Sequence, residues 1–219
     1  MKAKILIPII AVVFALSLAA TAPSQGYGHG NGQEMTKTTT SPAAFQMAVR
    51  DLFADHMQWT YATVDAFFHN PDALKPTLGR LLQNQKDLGA AIVPFYGKEA
   101  GDKVEKLFTE HIMLAVPVLT AAKAKDDAAL KKALDGWYAN AEEIAVFLSA
   151  ANPKQWPESA TKPMMKEHIS TTTVYAVDLL KGDYASAIKH YDSAYDHMMM
   201  MADALSSGII AQFPDKFRK

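Results

Sequence analysis

The chain has 219 residues, 49% of them hydrophobic and 21% charged, with a formal net charge of −1. It has no cysteine, which excludes disulfides, thiolate metal sites, cysteine nucleophiles and a cysteine-linked lipid anchor. A nearly balanced charge without a run of five basic residues gives nucleic acid and anionic membranes no footing as partners.

Residues 1–22 read as a signal peptide. Lys2 and Lys4 precede an uncharged apolar run from Ile5 to Ala20, and Ala20-Thr21-Ala22 supplies small residues at cleavage spacing. The run is shorter than the roughly 20 residues a membrane span needs, so no stable membrane insertion is expected after cleavage. Export to the periplasm or the extracellular space follows. Loss of Lys2 and Lys4 leaves 20 basic against 23 acidic residues, a formal charge of −3. Residues 23–42 read as a disordered linker, in which Gly26, Gly28, Gly30 and Gly32 alternate with other residues and Thr38 to Ser41 follow. His29, among those glycines, is read as incidental.

From residue 43 to 219 the apolar pattern is helical, and an all-α, up-and-down bundle is expected. Six helices are placed at roughly 43–69, 72–93, 98–123, 126–150, 161–181 and 184–211. The breaks are Asn70-Pro71, Gly97, Asp126-Asp127, Asn152-Pro153 with Pro157 and Pro163, and Gly182-Asp183. Pro117 falls inside the third helix, where a kink is expected. Short connections make three antiparallel hairpins.

Four of seven histidines directly follow an acid: Asp55-His56, Glu110-His111, Glu167-His168 and Asp196-His197. The first three lie 55 and 57 residues apart. Leu52-Phe53-Ala54-Asp55-His56 overlays Leu107-Phe108-Thr109-Glu110-His111, and Met164-Met165-Lys166-Glu167-His168 takes the same form. The partner helices offer Asn84, Asn140 and His197 at 28, 29 and 29 residues beyond these histidines. One turn further come Asp87, Glu143 and Met200. The pattern predicts a threefold internal repeat of one hairpin.

Residues three and four apart share a helix face, which puts His56 with Phe53, Trp59, Thr60 and Thr63. The same rule puts His111 with Leu107, Leu114 and Val118, and His168 with Met164, Met165, Thr172 and Tyr175. All three imidazoles are expected to point inward, while the acid before each is turned by about 100° and free to meet another helix. About the three turns, His56 comes level with Asn84, His111 with Asn140, and His168 with His197. His69 and His190 fit no repeated position and are read as solvent-facing.

Two classes of reading follow, with a third behind them. Imidazole nitrogen and carboxylate oxygen projected inward from facing helices are how bundles hold Zn, Cu, Fe or Mn. The candidate metal ligands are His56, His111, His168, His197, Asp87, Glu143 and Glu110. Asn84, Asn140, Trp59, Thr60 and Thr172 are the candidates for contact with a small ligand. The alternative is a structural or interaction module whose polar layers only set helix register, since buried imidazoles and carboxamides must be paired. The third reading is hydrolase-like acid–base chemistry by the histidines and acids, against which stands the lack of any nucleophile elbow or phosphate loop. The run Met198 to Met201, with Met57, Met113, Met164 and Met165, suits Cu(I) chemistry or, more commonly, gap-filling in a core. Oligomeric state leaves no mark on the sequence.

The stretches Asp55-His56-Met57-Gln58-Trp59-Thr60, Asn84-Gln85-Lys86-Asp87-Leu88-Gly89, Pro94-Phe95-Tyr96-Gly97, Trp137-Tyr138-Ala139-Asn140-Ala141 and Gln212-Phe213-Pro214-Asp215-Lys216-Phe217 belong to one pattern. Together they resemble an uncharacterised family of small exported bacterial helical proteins, over most of residues 45–217. The resemblance implies an all-helical domain outside the cytoplasm and carries no established activity.

Overall fold

The structure, a computed structural model, describes residues 41–218. The expected signal peptide, and all but the last two residues of the expected linker, lie outside the described residues. Those last two begin the fold: the Ser41 side chain accepts a hydrogen bond from Ala44 N (3.2 Å), and Pro42 opens the first helix.

Six helices and no strand occur among the described residues. They are α1 (Pro42–His69), α2 (Pro71–Tyr96), α3 (Lys98–Ala124), α4 (Asp127–Ala151), α5 (Glu158–Lys181) and α6 (Tyr184–Gln212), followed by a short 3₁₀ turn, Pro214–Lys216. The turns follow from local chemistry. Asp126 and Asp183 cap α4 and α6 by accepting from Ala129 N (2.9 Å) and Ser186 N (3.1 Å). Gly182 ends α5 at φ 71°, in the left-handed region that glycine enters without strain.

Each helix packs on the next in sequence, and α6 returns to α1, so the six close into a ring. Across its middle α1, α3 and α5 touch one another, and these are the helices that carry His56, His111 and His168. By length and composition α3 would pass for a membrane span; here it packs between α2 and α4 with His111 buried.

The sequence overstates proline as a breaker. Pro76, Pro94, Pro117 and Pro163 all lie inside helices, so α2 runs past residue 93 to Tyr96 and α5 starts at Glu158 rather than 161. Each proline is exposed, and so is the residue four before it: Asp72, Ala90, Met113 and Ser159. Water can therefore take the carbonyl that proline leaves without a partner, and α3 continues through Pro117 unbroken.

The end of the ring opposite the three hairpin turns is closed by aromatics. Phe217 packs on Phe45 and stacks on Phe95, with ring centres 5.3 and 5.5 Å away, while Phe213 meets Tyr96 edge-on at 5.1 Å. Gln212 donates to Ala151 O (3.0 Å) and accepts from Tyr96 OH (2.5 Å). The Pro94–Gly97 and Gln212–Phe217 stretches, far apart in sequence, thus form one lid.

Candidate functional site

The three inner helices bring His56, His111 and His168 together as a buried layer. His168 lies between the others, with its ring centre 5.5 Å from His111 and 5.9 Å from His56. All three are less than a tenth exposed.

Each hairpin fixes its histidine's helix by the same cross-link. Asn84 Nδ2 donates to Leu52 O (2.9 Å), Asn140 Nδ2 to Leu107 O (3.3 Å), and His197 Nε2 to Met164 O (3.0 Å). The accepting carbonyl is in every case four residues before the histidine. In the second hairpin Asn140 also turns Oδ1 to His111, whose Nδ1–H donates to it at 2.8 Å. Because Nδ2 must face the carbonyl, Oδ1 must face the ring, so the proton sits on Nδ1 and Nε2 keeps its lone pair. That Nε2 is buried with no hydrogen-bond partner. In the first hairpin His56 Nδ1 lies 3.4 Å from Gln85 Nε2, which also donates to Leu81 O (2.7 Å) and Asn84 Oδ1 (3.3 Å). Gln85 is fully buried, and its place on the Leu81–Gln85–Leu88 stripe is the signal that could have singled it out.

Burial holds the layer uncharged. Desolvation takes His56 down to about 4, helped by the nearby His111 ring and opposed by hydrogen bonds from Asn84 and Gln85. It takes His111 to about 4 against the Asn140 bond. His168 is pushed well below the ordinary histidine value by burial and then by His111, His56 and His197.

The expected oxygen donors are elsewhere. Glu143 is exposed and pairs with Lys103 on α3 (2.8 Å), Glu110 reaches back to Lys106 (3.8 Å), and Asp87 accepts from Gln83 (3.0 Å). No three His, Asp or Glu residues among those described converge closely enough to hold an ion by themselves. The mixed His–carboxylate ligand set expected from the sequence is therefore not assembled. Of the acids before the histidines, Asp55 turns to another helix, pairing with Arg80 on α2 (2.5 Å), whereas Glu110 stays on its own helix. His197 is half-buried and bonded to Met164 O rather than to His168. His190, whose side chain is 40% exposed, also has a partner: its Nδ1 lies 2.6 Å from the largely buried carboxylate of Asp178.

The imidazole layer divides two voids. On the hairpin-turn side is a cavity of about 230 Å³ lined by His56, His111 and His168, by Thr60, Thr63, Thr172 and Thr173, by Trp137, and otherwise by apolar side chains. Phe67, Phe68, Leu74 and Leu180 in its wall are half-buried, and Met113 is exposed. Two further wall residues have buried polar atoms without partners, Trp137 Nε1 and Thr172 Oγ1; the Trp137 ring lies 5.3 Å from His111. On the other side is a void of about 30 Å³, lined by the same three histidines with Gln85, Met165, Met198, Met201 and apolar residues.

Of the expected ligand contacts, Thr60 and Thr172 line the larger cavity; Asn84 and Asn140 do not, serving as hairpin cross-links instead. Trp59 lies under the Arg80 guanidinium, 5.5 Å from ring centre to cation, and is not part of the cavity wall. Neither a family model, a curated protein nor a solved structure matches the chain.

Proposed function

We propose that this protein is an exported binding protein whose larger cavity takes a small, uncharged, mostly apolar molecule with one hydrogen-bonding group, held at the imidazole layer. The observation that carries the reading is a 230 Å³ apolar cavity floored by three neutral imidazoles. An apolar cavity of about 150 Å³ accommodates benzene, whereas drug-sized sites begin at about 300 Å³, so the ligand is of the size of a substituted single ring. A hydroxyl on that ring would meet acceptors on the histidines and donors at Trp137 and Thr172. A charged head would find no countercharge.

Asn84, Asn140 and His197 set the hairpin register, which is the role the structural alternative gives to the whole layer. We read these three equivalent cross-links as the trace of a triplicated hairpin. The acid–base reading loses support, because no carboxylate figures among the groups acting on the three imidazoles.

Calorimetric titration with phenol, para-cresol and indole, against toluene as the head-less control, tests the reading. Saturable binding is expected, tighter for para-cresol than for toluene, with the difference reduced in His168→Phe. If none of these binds or raises the melting temperature, the proposal fails.

A further inference from the structure

The smaller void shares the three imidazoles with the larger cavity and adds a carboxamide oxygen and three thioethers. Its unpartnered polar groups supply electron pairs: His111 Nε2, whose proton is committed on the far side of the ring, and Gln85 Oε1. Around them stand the His56 and His168 rings and the thioethers of Met165, Met198 and Met201, each of these methionines less than a twentieth exposed. Among the described residues, no carboxylate, ammonium or guanidinium is in its wall. An occupant must therefore accept electron pairs and bring little charge, because nothing nearby would balance a divalent ion.

We propose that this void binds a single copper(I) ion, drawing its ligands from the imidazole nitrogens of His56, His111 and His168 and the thioether sulfurs of Met165, Met198 and Met201. Thioether with imidazole suits Cu(I); Zn²⁺ is served by imidazole but takes thiolate or carboxylate rather than thioether as its further ligand, and Mn²⁺ favours carboxylate and water. An ion held by three imidazoles sets ring centres about 5 Å apart, given metal–nitrogen distances of about 2 Å. The observed 5.5 and 5.9 Å are slightly wider. The wider His56–His168 pair leaves room in the coordination for the thioether sulfurs that line the same void. The bond from His111 Nδ1–H to Asn140 is the outer contact that orients a metal-binding imidazole. The larger cavity reaches the same rings and has the exposed thioether of Met113 in its wall, which gives an ion a route inward. Other methionines divide as helix geometry requires: Met200 is exposed, and Met198 and Met201 share the inner side of α6.

The test is an anaerobic titration of the purified chain with Cu(I) buffered by bicinchoninate. One ion per chain is expected, with both nitrogen and sulfur scatterers in its X-ray absorption spectrum. Met165→Leu/Met198→Leu/Met201→Leu nearly conserves core volume, so the fold, checked by circular dichroism, is expected to survive. Affinity should fall at least about 100-fold in that variant, as for loss of groups that shape a metal site. Met200→Leu should bind as the parent does, and Zn²⁺ should not compete. Cu(I) left with the chelator, a spectrum without sulfur, or unchanged affinity in the folded triple variant would each overturn the proposal and leave the methionines as packing with water in the void. None of the three lines the larger cavity, so para-cresol binding in the triple variant reports on that cavity separately.

Discussion

Asn140 holds His111 through both halves of its carboxamide, giving Nδ2–H to Leu107 O and taking Nδ1–H from the ring. Two consequences are measurable. Long-range ¹⁵N–¹H correlation spectra should show His111 as the Nδ1–H tautomer and His197, which donates to Met164 O, with its proton on Nε2. The reverse assignment for His111 would remove the free lone pair on which both proposed sites draw. Asn140→Leu leaves the buried His111 Nδ1–H without a partner, while Leu107 O keeps its helical bond, so urea unfolding should show a loss of about 1–3 kcal/mol. A loss below about 1 kcal/mol would mean the cross-link contributes little. The inward turn of His56, His111 and His168 was legible from spacing, because the residues three and four before each are apolar. The fate of Glu143 was not. It lies one turn from the buried Asn140 by spacing, yet its long side chain reaches Lys103 at the surface, and a one-dimensional pattern does not show which neighbour will be within reach.

Glycines inside helices separate close packing from mere absence of a side chain. A Cβ on Gly89 would lie 2.6 Å from Gly101 O and 3.2 Å from Glu105 Cβ, so α2 and α3 cross there backbone to backbone. A Cβ on Gly208 would run into the Trp156 indole, which itself donates to Ala204 O (3.1 Å). Gly89→Ala and Gly208→Ala should each cost about 1–3 kcal/mol by overpacking, outweighing the gain in helix propensity. Gly79 and Gly136 have nothing within 4 Å of the added atom and are exposed. Alanine there should stabilise by about 0.5–1 kcal/mol, read as a rise in the urea midpoint. Equal effects at all four positions would contradict the packing. Helix boundaries at Asn70-Pro71 and Gly182-Asp183 were readable because the residues themselves dictate the turn. The helices that continue through Pro94 and Pro163 were not, since that depends on which side of the helix meets water.

Closure of the ring is a property of the whole chain. Up-and-down hairpins could equally stack in an open row, and the return of α6 to α1 rests on long-range contacts such as Arg50–Asp203 (2.6 Å) and Phe45–Phe217. Closure is also what brings three histidines, each unremarkable in its own hairpin, into one layer, and it ties global stability to their protonation. In the metal-free protein His56 and His111 titrate near 4, against about 6.5 in the unfolded chain. Above pH 6.5 neither state holds the protons, and these residues add no pH dependence. Between 6.5 and 4 the unfolded chain binds them and the native ring does not, so stability falls as pH falls. At 1.36 kcal/mol per pH unit, a depression of about 2.5 units corresponds to about 3 kcal/mol for each histidine. Urea unfolding should therefore weaken steeply between pH 6.5 and 4 and more gently below. His111→Gln, which keeps a polar group beside Asn140 without a titrating ring, should remove roughly half of the slope due to this pair. An unfolding free energy that stays flat from pH 7 to 4.5 would mean that the three rings reach water in the native state, and the neutral layer behind both proposed sites would not exist.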